Sequence, residues 1–300
     1  MVLLATEIRP PQADGGERLT RLGAEVGAGG IHLGAGCDLE VVVGGPLVAS
    51  ALRLGLEVPT LTLPLPERAL APGKRLPRLS ATAHDERGAA IGLAEVGLSV
   101  GVSFGARVAL LDFGAVPLAA SAAGLARAFA RRALETDDPG GLLLADALAE
   151  RRARGPEVMD ACRWSLERLL RASERAGIRL ALVVGVTPWQ APSPREVGEL
   201  CETFVGSTLG VVWDPARLSV LAALGLTLAE ERCRSLAAVA AVAIESDAVG
   251  LDAGYLSGLG ERDARLAAIA APAAVPRVVT GGADATDTEV AVAVANVGAA

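Results

Sequence analysis

Acidic and basic side chains follow directly after short apolar runs in this chain. The clearest case is Leu209-Gly-Val-Val-Trp-Asp-Pro-Ala-Arg217, where a run with β-branched residues ends at Asp214 and Arg217 follows. A buried parallel strand delivers polar side chains in this way to the carboxyl edge of a sheet, where α/β proteins place their sites. Arg217 can bind a ligand carboxylate or phosphate bidentately while Asp214 accepts a hydroxyl. An ion pair that only closes the top of the sheet fits the two residues equally well.

Three more candidates follow other apolar runs: Glu7, His32 and Asp112. They can meet over one end of a closed sheet, where one of them would act as a general base in a metal-free proton transfer. Burial favours this role, because it raises the pKa of a carboxylate towards neutrality. The alternatives are a buried hydrogen-bond network, side chains that point outward between strand and helix, and an unconventional metal site. For His32 we expect this structural role, since a lone histidine in an apolar segment is more often structural.

A later part of the chain adds further ligand-binding candidates. Glu245 and Asp247 end another apolar run, although strand alternation points only some of these side chains inward. The turn Gly258-Leu-Gly-Glu-Arg-Asp263 can hold an anion or simply cap the helix predicted after it. Trp189, in a proline-rich loop, can pack on a sugar face, whereas Trp213 is expected to pack in the core.

Alternating strands and helices are needed to position these residues. Eight apolar runs alternate with segments of helical spacing, which predicts one α/β domain over residues 1–300, a (β/α)8 TIM barrel. The predicted strands are 2–7, 30–33, 58–63, 106–113, 178–184, the run from 209, 238–245 and 277–280. The predicted helices of the repeating units are 17–26, the second half of 41–54, about 80–104, 157–176, 195–205, 228–236, 261–269 and 289–297.

A helical insertion, about residues 122–156, separates the fourth and fifth strands. Residues 122–134 and 142–154 have helical spacing, and Gly155-Pro156 is expected to break the chain before the next helix. The insertion is longer than a simple βα connection, so we expect it to cap part of the barrel mouth. Farther along, Ser193-Pro-Arg-Glu196 has the form of a capping box, and Thr227 is placed to cap helix 228–236.

Composition limits the class of protein. Apolar residues make up 51% and aromatic residues 3%, so the core is built from Ala, Val and Leu. The net charge of −7 and the lack of a Lys/Arg-rich block argue against nucleic-acid binding. Four widely spaced cysteines without a C-x-x-C pair predict reduced thiols in a cytoplasmic protein. No apolar run is long enough to span a membrane, and the first residues lack the basic region of a signal peptide.

The stretch ending at Asp214 and the glycine turn resemble the xylose isomerase-like TIM-barrel family of sugar isomerases, epimerases and endonucleases. In that family the fifth and eighth strands end in Glu and the sixth in Asp-x-x-His. The seventh carries His-x-x-Asp before a Gly-x-Gly-(Glu/Asp)-x-Asp turn, and these groups hold divalent metals. Asp214 and Asp247 match this pattern. The other ligand positions are occupied here by Val183, Arg217, Ile244 and Thr280.

These replacements remove most of the oxygen and nitrogen ligands that Mn²⁺ or Zn²⁺ would need. Arg217 also places a permanent cation beside the site. The resemblance therefore implies a divergent member that binds a small sugar, polyol or sugar acid without a metal cofactor, any catalysis being metal-independent isomerisation or epimerisation. The alternatives are a non-catalytic scaffold or ligand-binding descendant and, third, a metal-dependent sugar isomerase. The oligomeric state stays open.

Overall fold

Eight parallel strands close into a barrel in the order of the sequence, β1 to β8. The computed structural model describes residues 1–6, 16–34, 37–44, 46–68, 75–119, 139–185, 187–216, 218, 228–246, 269–280 and 285–299. The TIM-barrel prediction is confirmed. The strands are β1 (Val2–Ala5), β2 (Gly30–Leu33), β3 (Glu57–Leu63), β4 (Val108–Leu111), β5 (Arg179–Leu182), β6 (Gly210–Trp213), β7 (Ala240–Ser246) and β8 (Arg277–Thr280).

Helices follow the strands around the outside of the barrel. They are α1 (Glu17–Glu25), a π-helical turn (Glu40–Gly44), α2 (Pro46–Arg53), α3 (His84–Ser103), α4 (Pro139–Ala176), α5 (Pro194–Thr203), α6 (Glu230–Ala238) and α7 (Asp287–Ala299). The predicted helix 122–134 and nearly all of 261–269 lie outside the described residues. Among the described helices, none combines the length and the apolar character needed to cross a membrane.

The helical insertion after β4 is present as the long helix α4, but the predicted break at Gly155-Pro156 is wrong. α4 runs through Pro156 without interruption. A proline inside a helix costs one backbone hydrogen bond and some steric strain. Packing on both sides of Pro156 offsets this cost. Cys162 lies fully buried after it, and Arg151 before it makes a 2.6 Å ion pair with Glu196 in which both side chains are almost fully buried.

The capping box at the start of α5 is confirmed. The Ser193 hydroxyl accepts a hydrogen bond from the Glu196 N–H, and the Glu196 carboxylate accepts one from the Ser193 N–H. The predicted cap of the next helix is wrong, because α6 begins two residues later than expected. Its N-cap is Ala229, whose methyl group cannot accept a hydrogen bond, and Glu230 instead places negative charge in the positive first turn.

Side chains alternate between two cores, as the pleat of a strand requires. The outer core lies between the barrel and its helices. The inner core, along the barrel axis, consists of small and apolar residues: Leu3, Ala5, Val108, Leu110, Ala181, Val212, Ala241, Val242 and Val278. Its large share of alanine and valine agrees with the aromatic-poor composition.

An extra residue in β3 determines which of its side chains face the axis. Gly30 of β2 pairs with Glu57 of β3, and His32 of β2 pairs with Thr60 of β3. Between these two pairs β2 advances by two residues and β3 by three. Such a β-bulge re-aims the side chains that follow it. A similar shift occurs in β7, where Val211 pairs with Ala240 and the next residue of β6 pairs with Val242.

The side chains beyond the β3 bulge confirm this orientation. Leu61 and Leu63 are fully buried in the outer core. A side chain added at Gly97 of α3 would collide with the Leu63 side chain, so α3 packs directly against the outer face of β3 here. Thr60 and Thr62 alternate with these leucines and therefore face the barrel axis.

We predict that the thiols are largely unreactive in the native protein. All four cysteines are free; Cys37, Cys162 and Cys233 are buried and Cys201 is half-buried. Burial raises the pKa of Cys162 to about 12 and also raises the pKa of Cys201, which suppresses the reactive thiolate. Iodoacetamide at mildly alkaline pH should modify at most Cys201, slowly, and all four thiols after denaturation. Rapid modification of Cys162, located by mass spectrometry, would contradict this packing.

Candidate functional site

His32 lies inside the barrel between two threonine hydroxyls of the neighbouring strand. The residue is 3% exposed. Its Nδ1 lies 2.8 Å from the Thr60 hydroxyl and its Nε2 lies 3.1 Å from the Thr62 hydroxyl. Buried imidazole nitrogens need hydrogen-bond partners. Each of these hydroxyls can either donate a hydrogen bond to a ring nitrogen or accept one from it, so both tautomers of His32 can be satisfied. His32 is therefore one member of a hydrogen-bond network inside the barrel.

Sequence reasoning did not identify Thr60 and Thr62. The signal was present in the Thr-x-Thr spacing, which places both hydroxyls on one face of a strand. Without knowledge of the bulge, however, the sequence does not show whether this face of β3 points to the barrel axis or to the helices. Thr60 is fully buried, whereas Thr62, one layer closer to the carboxyl ends of the strands, is partly exposed.

Asp214 follows β6 directly and is 7% exposed. It borders a small cavity of about 10 Å³, which is room for about one water molecule. Apart from Asp214, the described lining is apolar: Val183, Val184, Val212, Trp213, Leu218, Leu236 and Ile244. The carboxylate therefore lies at the carboxyl end of the barrel, where sites of this fold are built, and borders a cavity whose other described lining residues are apolar.

The described residues around Asp214 do not fit a divalent metal. Val183 and Ile244 line the same cavity, and Thr280 ends β8, where it pairs with Ser246. Hard divalent ions need several converging oxygen ligands, and valine and isoleucine supply none. Within the described part of the chain, no group of three or more His, Cys, Asp or Glu side chains is placed to hold a metal ion.

Asp112 and Trp189 lie in the loops that follow β4 and β5. Asp112 is exposed, and its Oδ1 accepts a 2.8 Å hydrogen bond from the Gly114 N–H. Trp189 is half-buried, and its carbonyl accepts a hydrogen bond from the Val116 N–H. The Ala191 N–H donates in turn to the Gly114 carbonyl. These backbone bonds hold the two loops together at the rim of the mouth.

Arg78 joins the loop after β3 to the same rim. Its guanidinium donates to both carboxylate oxygens of Glu86, at 2.7 and 3.0 Å, and to the Ala115 carbonyl at 2.7 Å. The pair is about one-third exposed. Hydrogen bonding from Arg78 lowers the pKa of Glu86 below its ordinary value of 4.5. Hydrogen bonds thus join the described parts of three consecutive loops on one side of the barrel mouth.

For the remaining predicted site residues the structure does not describe the side chains. Glu7, Arg217 and Asp247 lie outside the described residues, and so does the glycine turn. For Glu245 the structure describes the backbone, which pairs with Val279 in β8. His32 and Asp214 are thus placed inside the barrel and at its carboxyl end, while Asp112 and Trp189 belong to the loops of the rim.

Comparison with known proteins identifies the fold through structures alone. No family model matches the chain, and no curated protein matches its sequence. A 3-keto-D-glucoside 4-epimerase from E. coli superposes with a TM-score of 0.65 at 10% identity, over 100% of this chain and 99% of the other. A D-psicose 3-epimerase from Clostridium cellulolyticum, solved with D-tagatose, gives 0.64 at 10% identity, over 98% and 96% of the two chains.

A third similar structure carries the family name that the sequence suggested. A xylose isomerase domain containing protein from Salmonella typhimurium gives a TM-score of 0.54 at 12% identity, over 98% of this chain and 94% of the other. The structural neighbours are thus sugar epimerases and a xylose isomerase-like protein. At these identities the likeness shows a shared fold along the whole chain.

We predict that Thr60→Val destabilises the protein by about 1–3 kcal/mol, because it removes the hydroxyl that is hydrogen-bonded to the buried Nδ1 of His32. Denaturant unfolding measures the change. Thr203→Val is the matched control, since its hydroxyl is exposed on α5 and donates only to the preceding turn. We expect a change within about 0.5 kcal/mol for the control. Equal stability of Thr60→Val and the wild type would show that the hydroxyl contributes nothing to holding His32.

We also predict that Glu86→Gln destabilises the protein by about 1–2 kcal/mol near neutral pH, because it removes a charge-assisted bidentate pair. The pKa of Glu86 is lowered by folding, so its contribution is complete above 4.5 and is lost as pH falls through the lower folded value. The difference between variant and wild type should therefore shrink in acid. Glu167→Gln, in an exposed pair with Arg171, is the control. A difference that does not depend on pH would refute the assignment.

Proposed function

We propose that the protein binds a small sugar, polyol or sugar acid at the mouth of the barrel, and that any catalysis is metal-independent isomerisation or epimerisation. The observation that carries the proposal is the buried Asp214 carboxylate among apolar side chains at the carboxyl end of β6. The sugar epimerases that share the fold along the whole chain support the ligand class.

The surroundings of Asp214 suit a hydroxyl group of a carbohydrate. A carboxylate in apolar surroundings forms a strong hydrogen bond with a hydroxyl donor, because water competes poorly there. Val183 and Ile244 offer methyl groups to the C–H face of the same ligand. Since the cavity has room for about one water, the ligand would place a single hydroxyl in it and lie above it.

The ligand chemistry at the described strand ends supports the proposal of a metal-free site. Asp214 is the one carboxylate in the described lining of its cavity, and the side chains of the other described lining residues supply no oxygen ligand. We therefore assign no step to Mn²⁺ or Zn²⁺. Polarisation of the ligand rests on hydrogen bonds from the protein's own side chains.

A non-catalytic binding protein is the second candidate. It is favoured by His32, whose two ring nitrogens are both engaged by threonine hydroxyls inside the barrel. An imidazole held in this way does not reach a ligand directly. A role in binding requires only that the mouth recognise the ligand, and it needs no exposed base.

Calorimetric titration with ketoses, polyols and aldonic acids tests the proposal. We expect saturable binding by the wild type that EDTA does not change. Asp214→Asn should weaken this binding about tenfold or more, because a charge-assisted hydrogen bond is lost. Asp160→Asn removes the same charge from an exposed position on α4 and serves as the control, for which the affinity should be unchanged.

Two results would overturn the proposal. The first is equal affinity of Asp214→Asn and the wild type for a ligand that binds. The second is stoichiometric Mn²⁺ or Zn²⁺ in protein purified without chelator, with binding lost on metal removal. Incubation of the bound sugar in heavy water then separates the two candidates, because isomerisation by proton transfer can exchange a carbon-bound hydrogen for deuterium and simple binding does not.

A further inference from the structure

The geometry points to Thr62 as a ligand-contacting hydroxyl of the mouth, polarised by His32, which Thr60 orients in turn. This inference rests on the proposed function and adds a recognition residue to it. The hydroxyl–imidazole–hydroxyl chain is continuous, with 3.1 Å between Thr62 and Nε2 and 2.8 Å between Nδ1 and Thr60. A hydroxyl bound to an imidazole that a third group orients is an arrangement that activates hydroxyls in enzymes.

Thr62 is the end of this chain that a ligand can reach. Its side chain faces the barrel axis, yet it is partly exposed. The layer below it is closed, since Thr60 is fully buried and His32 is 3% exposed. Solvent therefore reaches an axial side chain at this position from the carboxyl end of the barrel. We expect a ligand in the mouth to approach Thr62 from the same side.

The tautomer of His32 determines what Thr62 offers to the ligand. If Nδ1 carries the proton, it donates to Thr60, and the Thr62 O–H donates to Nε2. The Thr62 oxygen then accepts from a ligand hydroxyl. If Nε2 carries the proton, it donates to Thr62, whose own O–H is free to donate to a ligand carbonyl. One residue can thus bind either the hydroxyl or the carbonyl form of a sugar carbon.

Thr62 and Asp214 belong to different sides of the mouth. Thr62 is on β3, whereas Asp214 follows β6, three strands farther around the closed barrel. A ligand that contacts both needs polar groups at more than one position along its length. Open-chain sugars, polyols and aldonic acids have this property, and small monofunctional alcohols or acids lack it.

Magnetic resonance of the imidazole nitrogens tests this inference, because the chain has only two histidines. His84 is highly exposed on α3 and provides an internal reference. Histidine-labelled protein is titrated with D-fructose, D-tagatose, D-glucitol and D-gluconate. We expect a bound probe to shift the His32 nitrogen resonances and to leave those of His84 unchanged. This readout needs no variant.

Variants then identify the contacting atom. Thr62→Val should weaken probe binding by at least about fivefold. Thr62→Ser, which keeps the hydroxyl, should bind like the wild type, and so should the surface control Thr203→Val. If a probe binds the wild type but Thr62→Val binds it equally and His32 does not respond, the inference fails and the proposed function stands. If no probe binds the wild type, both fail.

Discussion

Closure of the sheet is the constraint on which the rest of the structure depends. β1 pairs with β8 as well as with β2, so every strand has two neighbours and no edge is left with unpaired backbone groups. Parallel closure also brings all carboxyl ends to one side of the molecule. Residues that follow strands far apart in the chain are thereby brought to the same end of the barrel without any direct bond between their strands.

The barrel interior is mostly hydrocarbon, and its polar groups are therefore costly to bury. An unpaired polar group in such surroundings loses the hydrogen bonds it had with water. His32 avoids this loss through Thr60 and Thr62, and the rim avoids it through Arg78, Glu86 and the backbone of the next loop. The polar residues of the described mouth are consequently organised in small local groups, each joining neighbouring strands or loops.

Features that depend on local sequence were predictable. The apolar runs predicted the eight strands, and the sixth run predicted that Asp214 lies at a strand end. The spacing of Ser193 and Glu196 predicted the capping box of α5. Features that depend on contacts between distant segments were not. Pro156 stays helical because of packing and because the nearby Arg151 makes an ion pair with Glu196, 45 positions farther along the chain. The partners of His32 depend on a β-bulge that the residue types do not reveal.

Because of the bulge in β3, the site depends on whether a short segment of this strand has an odd or an even number of residues. From the residue paired with Gly30 to the residue paired with His32, β3 uses three steps where β2 uses two. Losing one residue there would exchange the two faces of the strand, sending Thr60 and Thr62 towards α3 and the leucines towards the axis. Every side chain would still be present. A relative of this chain can therefore keep each of these residue types and yet lose the polar layer through a change in length alone.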